Sequence, residues 1–196
     1  MYKRGAPIAS RRRRSTRMGA EPGVPAEGLD SAGLERLTRL LTRALAVPFS
    51  AVCLVDGERL RLVAGQGLEP GELPRHGSLP GHTLDRGELT LIPDLAEAPG
   101  APPGPLVAGR PLRFYVGVPL RDPDGEPAGT LCAGDLVPRR LDAEGISLLG
   151  AVAELVADQF RLRRELAERA RALSALAESE RRFKDFAEIA SDWFWE

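Results

Sequence analysis

Apolar residues recur every three or four positions after residue 30, the spacing that places them on one face of a helix. The positions are Leu34, Leu37, Leu41, Ala44 and Leu45. Asp30 or Ser31 can cap the start of this helix, since a short polar side chain accepts hydrogen bonds from free backbone N–H groups. Pro48 disfavours helical geometry at Val47, so the helix is predicted to end there.

A β-hairpin is predicted next. Residues 50–55 form a β-type run, and residues 59–64 resume it after the turn signal Asp56-Gly57. Residues 65–86 are rich in Gly and Pro, and we expect a loop there.

A brief strand and a further loop are expected in the middle of the chain. Residues 89–92 are apolar and are followed directly by Pro93, which ends the predicted strand. Residues 96–111 contain five prolines and cannot hold a long regular helix, so they are predicted to be irregular.

A second hairpin is predicted over residues 112–136. Two apolar runs flank Asp122-Pro123-Asp124-Gly125, which suits a type I turn with glycine in the left-handed region. Side chains alternate along the first run, which puts Phe114, Val116, Val118 and Leu120 on one face and Tyr115, Gly117 and Pro119 on the other. Neither face is strongly polar. A sheet covered on both faces follows, with helices on one face and loops or a ligand cavity on the other.

A long C-terminal helix is predicted after Asp142, whose carboxylate is suited to cap it. Its apolar positions include Ile146, Leu149, Val152, Val156 and Phe160. Beyond Phe160, Leu166 and Leu173 lie seven residues apart, with Ala170 and Ala177 between and after them. This seam of about two heptads suits a parallel two-stranded coiled coil, and a solvated single helix is the alternative.

Charge divides the chain into a basic tail and an acidic body. Residues 1–20 contain seven Lys or Arg and no acid, so the rest has 20 basic and 28 acidic residues and a net charge of −8. We expect residues 1–29 to form a disordered tail, and Met18 is an alternative start. An acidic body argues against nucleic acid as a partner.

Hydrophobic content and cysteine usage bear on membrane insertion and on the cellular compartment. No run approaches the roughly 20 apolar residues of a membrane span, so none is expected. Cys53 and Cys132 each lie in an apolar run, and we expect two buried, reduced thiols rather than a disulfide or a metal site. Together these features predict a cytoplasmic protein.

Several motifs in the second half of the chain resemble those of a known family. Residues 113–120 (RFYVGVPL), the turn DPDG at 122–125, GTLC at 129–132, Asp135 and Pro138-Arg139 resemble the C-terminal signature of bacterial GAF domains. The resemblance covers residues 30–162. It implies an α+β fold, in which a central antiparallel sheet carries the first and last helices together on one face and a long signalling helix follows.

A second resemblance begins at Glu180. The segment ERRF at 180–183 and ASDWFWE at 190–196 resemble the opening of a PAS domain, an initial helix running into a first strand. Residues 163–179 would then be a coiled-coil connector, and residues 180–196 an incomplete PAS domain. We expect the chain to be a fragment of a longer receptor, with a histidine kinase or a cyclic-dinucleotide enzyme as its output.

Residues for catalysis are few. His76 and His82 are the only histidines, and no acidic cluster or CxxC motif lies near them at metal-ligand spacing, so no metal site is predicted. Free methionine sulfoxide reductases, an enzymatic branch of the GAF family, use cysteine in the loop before the third strand, and residues 78–82 hold none here. No catalytic residue is assigned, and the sequence identifies no cofactor.

Three residues are candidates for ligand binding: His82, Arg113 and Tyr115. Each also has a structural interpretation, in which Arg113 pairs with an acid and Tyr115 fills core. The sequence therefore predicts a non-catalytic sensory input module of a bacterial signalling protein, which relays small-molecule or redox input through a dimeric helix to a downstream PAS or output domain. A ligand-free dimerisation scaffold and a small redox enzyme of the free methionine sulfoxide reductase type are the alternatives.

Overall fold

The computed structural model describes residues 30–107 and 109–193, with side chains described as far as Phe183. The predicted tail, residues 1–29, and the last three residues, 194–196, lie outside the described residues. The helices are α1 (Ser31–Ala44), α2 (Leu79–Arg86) and α3 (Ala143–Trp193), with a 3₁₀ turn at Leu95–Glu97. The strands are β1 (Phe49–Asp56), β2 (Arg59–Gln66), β3 (Glu72–Pro74), β4 (Thr90–Ile92), β5 (Leu106–Val107), β6 (Arg110–Pro111), β7 (Phe114–Arg121) and β8 (Pro127–Asp135).

Six of the strands form one antiparallel sheet in the order β3-β2-β1-β8-β7-β4, and β5 pairs only with β6. Both predicted hairpins are confirmed, as β1–β2 and β7–β8. The second turn has the expected form, since the Gly125 N–H donates to the Asp122 carbonyl at 3.0 Å and Gly125 has φ +86°. The pairing of β1 with β8 joins the two hairpins and makes both strands central.

The prediction that residues 65–86 form a loop was wrong. The segment contains β3 and the eight-residue helix α2. The Ser78 side chain caps α2 by accepting from the Gly81 N–H at 3.3 Å, Pro80 lies in its first turn, and Gly87 ends it in the left-handed conformation. Gly and Pro here mark the ends of a short helix rather than the absence of one.

Helices α1 and α3 pack together on one face of the sheet, as the α+β prediction required. The core of this face combines apolar residues of both helices and of the central strands, including Leu34, Leu41, Phe114, Val116, Leu131, Leu149, Val156 and Phe160. Asp142 caps α3 as expected, because its carboxylate accepts from the Gly145 N–H at 2.8 Å. Asp30 precedes α1 without a side-chain cap, and its carboxylate pairs with Arg36 instead.

Helix α3 is continuous from the sheet to the end of the described chain. Its 51 residues correspond to a length of about 76 Å at 1.5 Å per residue. Its first part is half-buried against the sheet, whereas every described side chain from Arg164 to Phe183 is exposed. The helix therefore extends far beyond the surface that its first turns bury. Within the described residues, no helix combines the length and apolar character that crossing a bilayer requires.

Candidate functional site

A largely apolar cavity lies on the sheet face opposite α1 and α3. Its volume is about 230 Å³. Strands β1, β2, β7 and β8 form its floor, and α2 and the Pro-rich segment before β7 form its walls. Its apolar lining includes Phe49, Ala51, Leu62, Leu79, Leu112 and Tyr115. This position matches the prediction of a cavity on the face that the long helices leave uncovered.

Several polar side chains around this cavity are already hydrogen-bonded within the protein. The Tyr115 and Thr83 hydroxyls are 2.8 Å apart. The Ser50 hydroxyl donates to the Thr38 carbonyl at 2.9 Å. Among the described residues that line the cavity, none is Asp, Glu, Lys, Arg or His. The surface that a ligand would meet is therefore neutral.

Tyr115 is fixed by close contact with a glycine. A Cβ atom at Gly117 would lie 2.4 Å from the Tyr115 hydroxyl oxygen and 2.7 Å from Thr83 Oγ1, so only glycine leaves room for this hydrogen bond. Burial is the main reason that the pKa of Tyr115 is raised well above its ordinary value. The phenol is thus a neutral, immobile part of the cavity wall.

Both cysteines of the chain line the cavity. Cys132 pairs in register with Ala51, and Cys53 with Thr130, so the two thiols are diagonal neighbours across β1 and β8. Diagonal positions have Cα atoms about 7–8 Å apart, beyond the usual range of a disulfide. Hydrogen bonding to Cys132, followed by burial, raises the pKa of the Cys53 thiol well above its ordinary value. The expectation of two buried, free thiols is confirmed.

Arg113 anchors the Pro-rich wall without lining the cavity. Its Nε donates to Asp94 Oδ1 at 2.7 Å, and the Asp94 carboxylate also accepts from the Ala96 N–H at 3.0 Å. The guanidinium of Arg113 lowers the pKa of Asp94. The preceding residue, Leu112, lines the cavity and donates its N–H to the Pro105 carbonyl at 3.2 Å.

His82 lies at a different place. Together with Arg86 it lines a second, more polar groove of about 510 Å³ between α2, β4 and residues 98–101. The structure thus places the three predicted ligand-binding residues separately: Tyr115 in the apolar cavity, Arg113 in an ion pair behind its wall, and His82 in the second groove. Their roles in binding stay predictions.

Sequence reasoning missed the pairing of the thiols and the contribution of α2. Alternation along the second hairpin places Cys132 opposite Gly117 and thus beside Tyr115. The position of this one thiol on the cavity face could therefore have been predicted from the sequence. The position of Cys53 depends on the β1–β8 pairing between residues about 80 apart, which no local pattern indicates.

A six-stranded antiparallel sheet with two helices on one face and a cavity of small-molecule size on the other defines the class of this α+β domain. The family model described as GAF domain matches residues 31–159. The chain belongs to the GAF domain family.

One curated protein is similar to most of this chain. A cyclic di-GMP phosphodiesterase of Pseudomonas aeruginosa is 29% identical over 136 residues, which is 68% of this chain and 23% of that protein. The chain therefore spans less than a quarter of this relative's length.

Two solved structures share the fold. The GAF domain of a phosphoenolpyruvate-protein phosphotransferase from Coxiella burnetii has a TM-score of 0.62 at 20% identity, over 76% of this chain and 89% of that one. The free methionine-R-sulfoxide reductase of Neisseria meningitidis has a TM-score of 0.61 at 23% identity, over 72% and 84%. At these identities the similarity shows the fold alone.

We predict that Arg113→Ala will open the wall of the cavity. Removal of the ion pair leaves Asp94, whose side chain is 12% exposed, without its cationic partner. The segment carrying Leu112 then keeps its backbone hydrogen bonds but loses its side-chain anchor. Methyl methanethiosulfonate should modify Cys53 and Cys132 several-fold faster than in the wild type, as followed by mass spectrometry. Arg161→Ala removes an exposed ion pair on α3 and should leave the rate unchanged. Equal rates in both variants would contradict this role of Arg113.

We also predict that stability falls in alkali because of Cys53. The folded chain retains a thiol proton on Cys53 that the unfolded chain releases in alkali. The stabilisation linked to this proton is therefore complete below the unfolded pKa of about 8.5 and declines above it. One pH unit above that value the loss is about 1 kcal/mol. Urea unfolding between about pH 7 and pH 9.5 measures it. Cys53→Ala should be less stable near neutrality but decline less with pH, and equal declines would refute the assignment.

Proposed function

We propose that this chain is a non-catalytic input module of a bacterial signalling protein, which binds a small molecule and relays its presence through a parallel dimer of α3. The observation that carries the proposal is an uncovered apolar stripe along α3, a helix whose first turns are part of the domain core. The proposed recipient is a PAS or output domain beyond residue 180, where the sequence resembles the start of a PAS domain.

The stripe consists of every large apolar residue described as exposed on α3. Its members are Leu155, Leu162, Leu166, Leu173, Leu176 and Phe183, all at least half exposed. Successive members lie seven, four, seven, three and seven residues apart, which is the spacing of coiled-coil core positions. The stripe is about four heptads long. It shares Leu166 and Leu173 with the two-heptad seam predicted from the sequence, but its complementary positions are not Ala170 and Ala177.

A second copy of the chain is the occupant that this stripe fits. A stripe that keeps heptad spacing over about four repeats matches an identical stripe turn by turn in a parallel pair. Parallel pairing also brings both domains to one end and both C-terminal segments to the other. Arg169 occupies a core position between Leu162 and Leu176, where two copies would place like charges close together. Such a pair is marginally stable, and alternative packings lie close in energy.

A chain of polar contacts connects the cavity side of the sheet with α3. Helix α2 contributes Leu79 to the cavity wall and ends at Gly87. Arg121 donates to the Gly87 carbonyl at 3.2 Å and to the Gly125 carbonyl at 2.8 Å, which ties α2 to the β7–β8 turn. The neighbouring Asp124 pairs with Arg164 of α3. A ligand that displaces α2 would thereby move the contact between Asp124 and Arg164, where the exposed part of α3 begins.

The alternatives have less support in the structure. A ligand-free scaffold leaves the apolar cavity without a role. A redox enzyme needs an accessible thiolate, whereas contact with Cys132 and burial raise the pKa of Cys53 and keep it protonated near neutrality. The catalytic output proposed here, a histidine kinase or a cyclic-dinucleotide enzyme, would belong to other parts of a longer protein, and the cytoplasm is the proposed compartment.

We predict that the double variant Leu166→Asn, Leu173→Asn will be monomeric in sedimentation at concentrations where the wild type is a dimer, because it places polar amides in the seam. Its dissociation constant should rise at least 100-fold, while the domain core, which these exposed side chains do not touch, keeps its unfolding midpoint.

The matched control is Ala167→Asn, Ala175→Asn, which adds the same amides to exposed positions of the same helix outside the seam. It lowers helix propensity at least as much and should remain dimeric. A monomeric wild type, or equal weakening by both double variants, would contradict the proposed dimer.

A further inference from the structure

We infer that the ligand of the apolar cavity is a small, uncharged, mainly apolar molecule of one or two rings. The inference rests on the proposed function, because it names the ligand class of the same sensory site. Its basis is the combination of a neutral lining, polar side chains that already have partners, and a limited volume.

Charge is the first criterion. Transfer of an unpaired carboxylate, phosphate or ammonium group into an apolar site is strongly unfavourable unless the site supplies a counter-charge or several hydrogen bonds. The part of the lining that the structure describes contains no charged side chain. The Tyr115 hydroxyl is committed to Thr83, and the Ser50 hydroxyl to the Thr38 carbonyl of α1. The Ser78 hydroxyl accepts from the Gly81 N–H. Anionic metabolites such as nucleotides therefore lack a partner in this cavity.

Two backbone N–H groups at the N-terminus of α2 are already hydrogen-bonded within the protein. Its Gly81 N–H donates to the Ser78 hydroxyl, and its His82 N–H donates to the Ser78 carbonyl at 2.8 Å. A Cβ atom at Gly81 would lie 1.5 Å from the Arg75 carbonyl oxygen, so backbone of the preceding segment closely covers this turn. These two donors are therefore not free to bind a phosphate group.

Size is the second criterion. An apolar cavity of about 150 Å³ in another protein stays dry and binds benzene, and pockets for drug-sized ligands begin at about 300 Å³. A volume of about 230 Å³ lies between these values. One or two fused rings, or a branched alkyl group of equal size, would fill it.

The two thiols are suited to this ligand class. A protonated thiol is a soft, weakly polar group that packs against aromatic rings, with sulfur near the ring edge. Cys53 stays protonated near neutrality because of Cys132 and burial. The two buried thiols react slowly. Since the chain has no other cysteine, their rate of reaction with a small neutral reagent over long incubation still reports whether the cavity is filled.

The experiment uses indole as the neutral probe and indole-2-carboxylate as its charged counterpart, with the 196-residue protein. Calorimetry measures affinity, and modification by methyl methanethiosulfonate measures protection of Cys53 and Cys132. We expect saturating indole to slow modification of both thiols at least tenfold. The carboxylate should bind at least tenfold more weakly and protect correspondingly less.

Two variants locate the binding. Ala51→Phe places a ring inside the cavity and should abolish both indole binding and protection. Because a large residue in β1 can impair folding, Leu68→Trp at the half-buried margin of the cavity provides a second obstruction. Leu40→Trp, an equal change at an exposed position of α1, is the control and should bind indole as the wild type does.

The ligand class is overturned if indole neither binds nor protects, if the carboxylate binds as tightly as indole, or if both folded obstruction variants still bind indole. Sedimentation of the same samples separates this outcome from failure of the proposed function. A dimer that persists without indole binding contradicts the ligand class alone, whereas a monomeric wild type contradicts the relay.

Discussion

The structure depends on a sheet that is apolar on both faces. In β7, Phe114 and Val116 are buried against the helices. Tyr115, which lies between them in the strand, is on the opposite face of the sheet and is also buried. Both faces must be covered, because exposed apolar area of this extent is unfavourable in water. Two long helices cover one face fully. A short helix and Pro-rich chain cover the other incompletely, and the remaining space is the cavity.

Much of this architecture could be predicted from local patterns. The hairpin turns at Gly57 and Gly125 both adopt positive φ, as their sequences indicated, and the spacing of Leu149, Val156 and Phe160 identified the buried face of α3. Helix α2 was missed because eight residues are too few for helical periodicity to show. The site was harder to predict than the fold, since Cys53 and Cys132 meet only through pairing of distant strands, and Arg113 points to Asp94 rather than to the cavity.

The long helix gives the fold its proposed direction of signalling. Its buried turns share a core with the sheet, and its exposed turns carry the leucine stripe, so both parts move as one rigid element unless the helix breaks. The contacts of Arg121 and of Arg164 with Asp124 connect the cavity side with this helix.

The most direct measurement is the distance between two copies of α3, determined by electron paramagnetic resonance. The spin label is attached to a non-natural residue in place of Arg171, so both native thiols stay intact. The account predicts one well-defined intermolecular distance that shifts when indole saturates the cavity and does not shift in Arg164→Ala. The absence of an intermolecular distance, or a distance that filling the cavity leaves unchanged, would contradict the claim that this domain signals through its terminal helix.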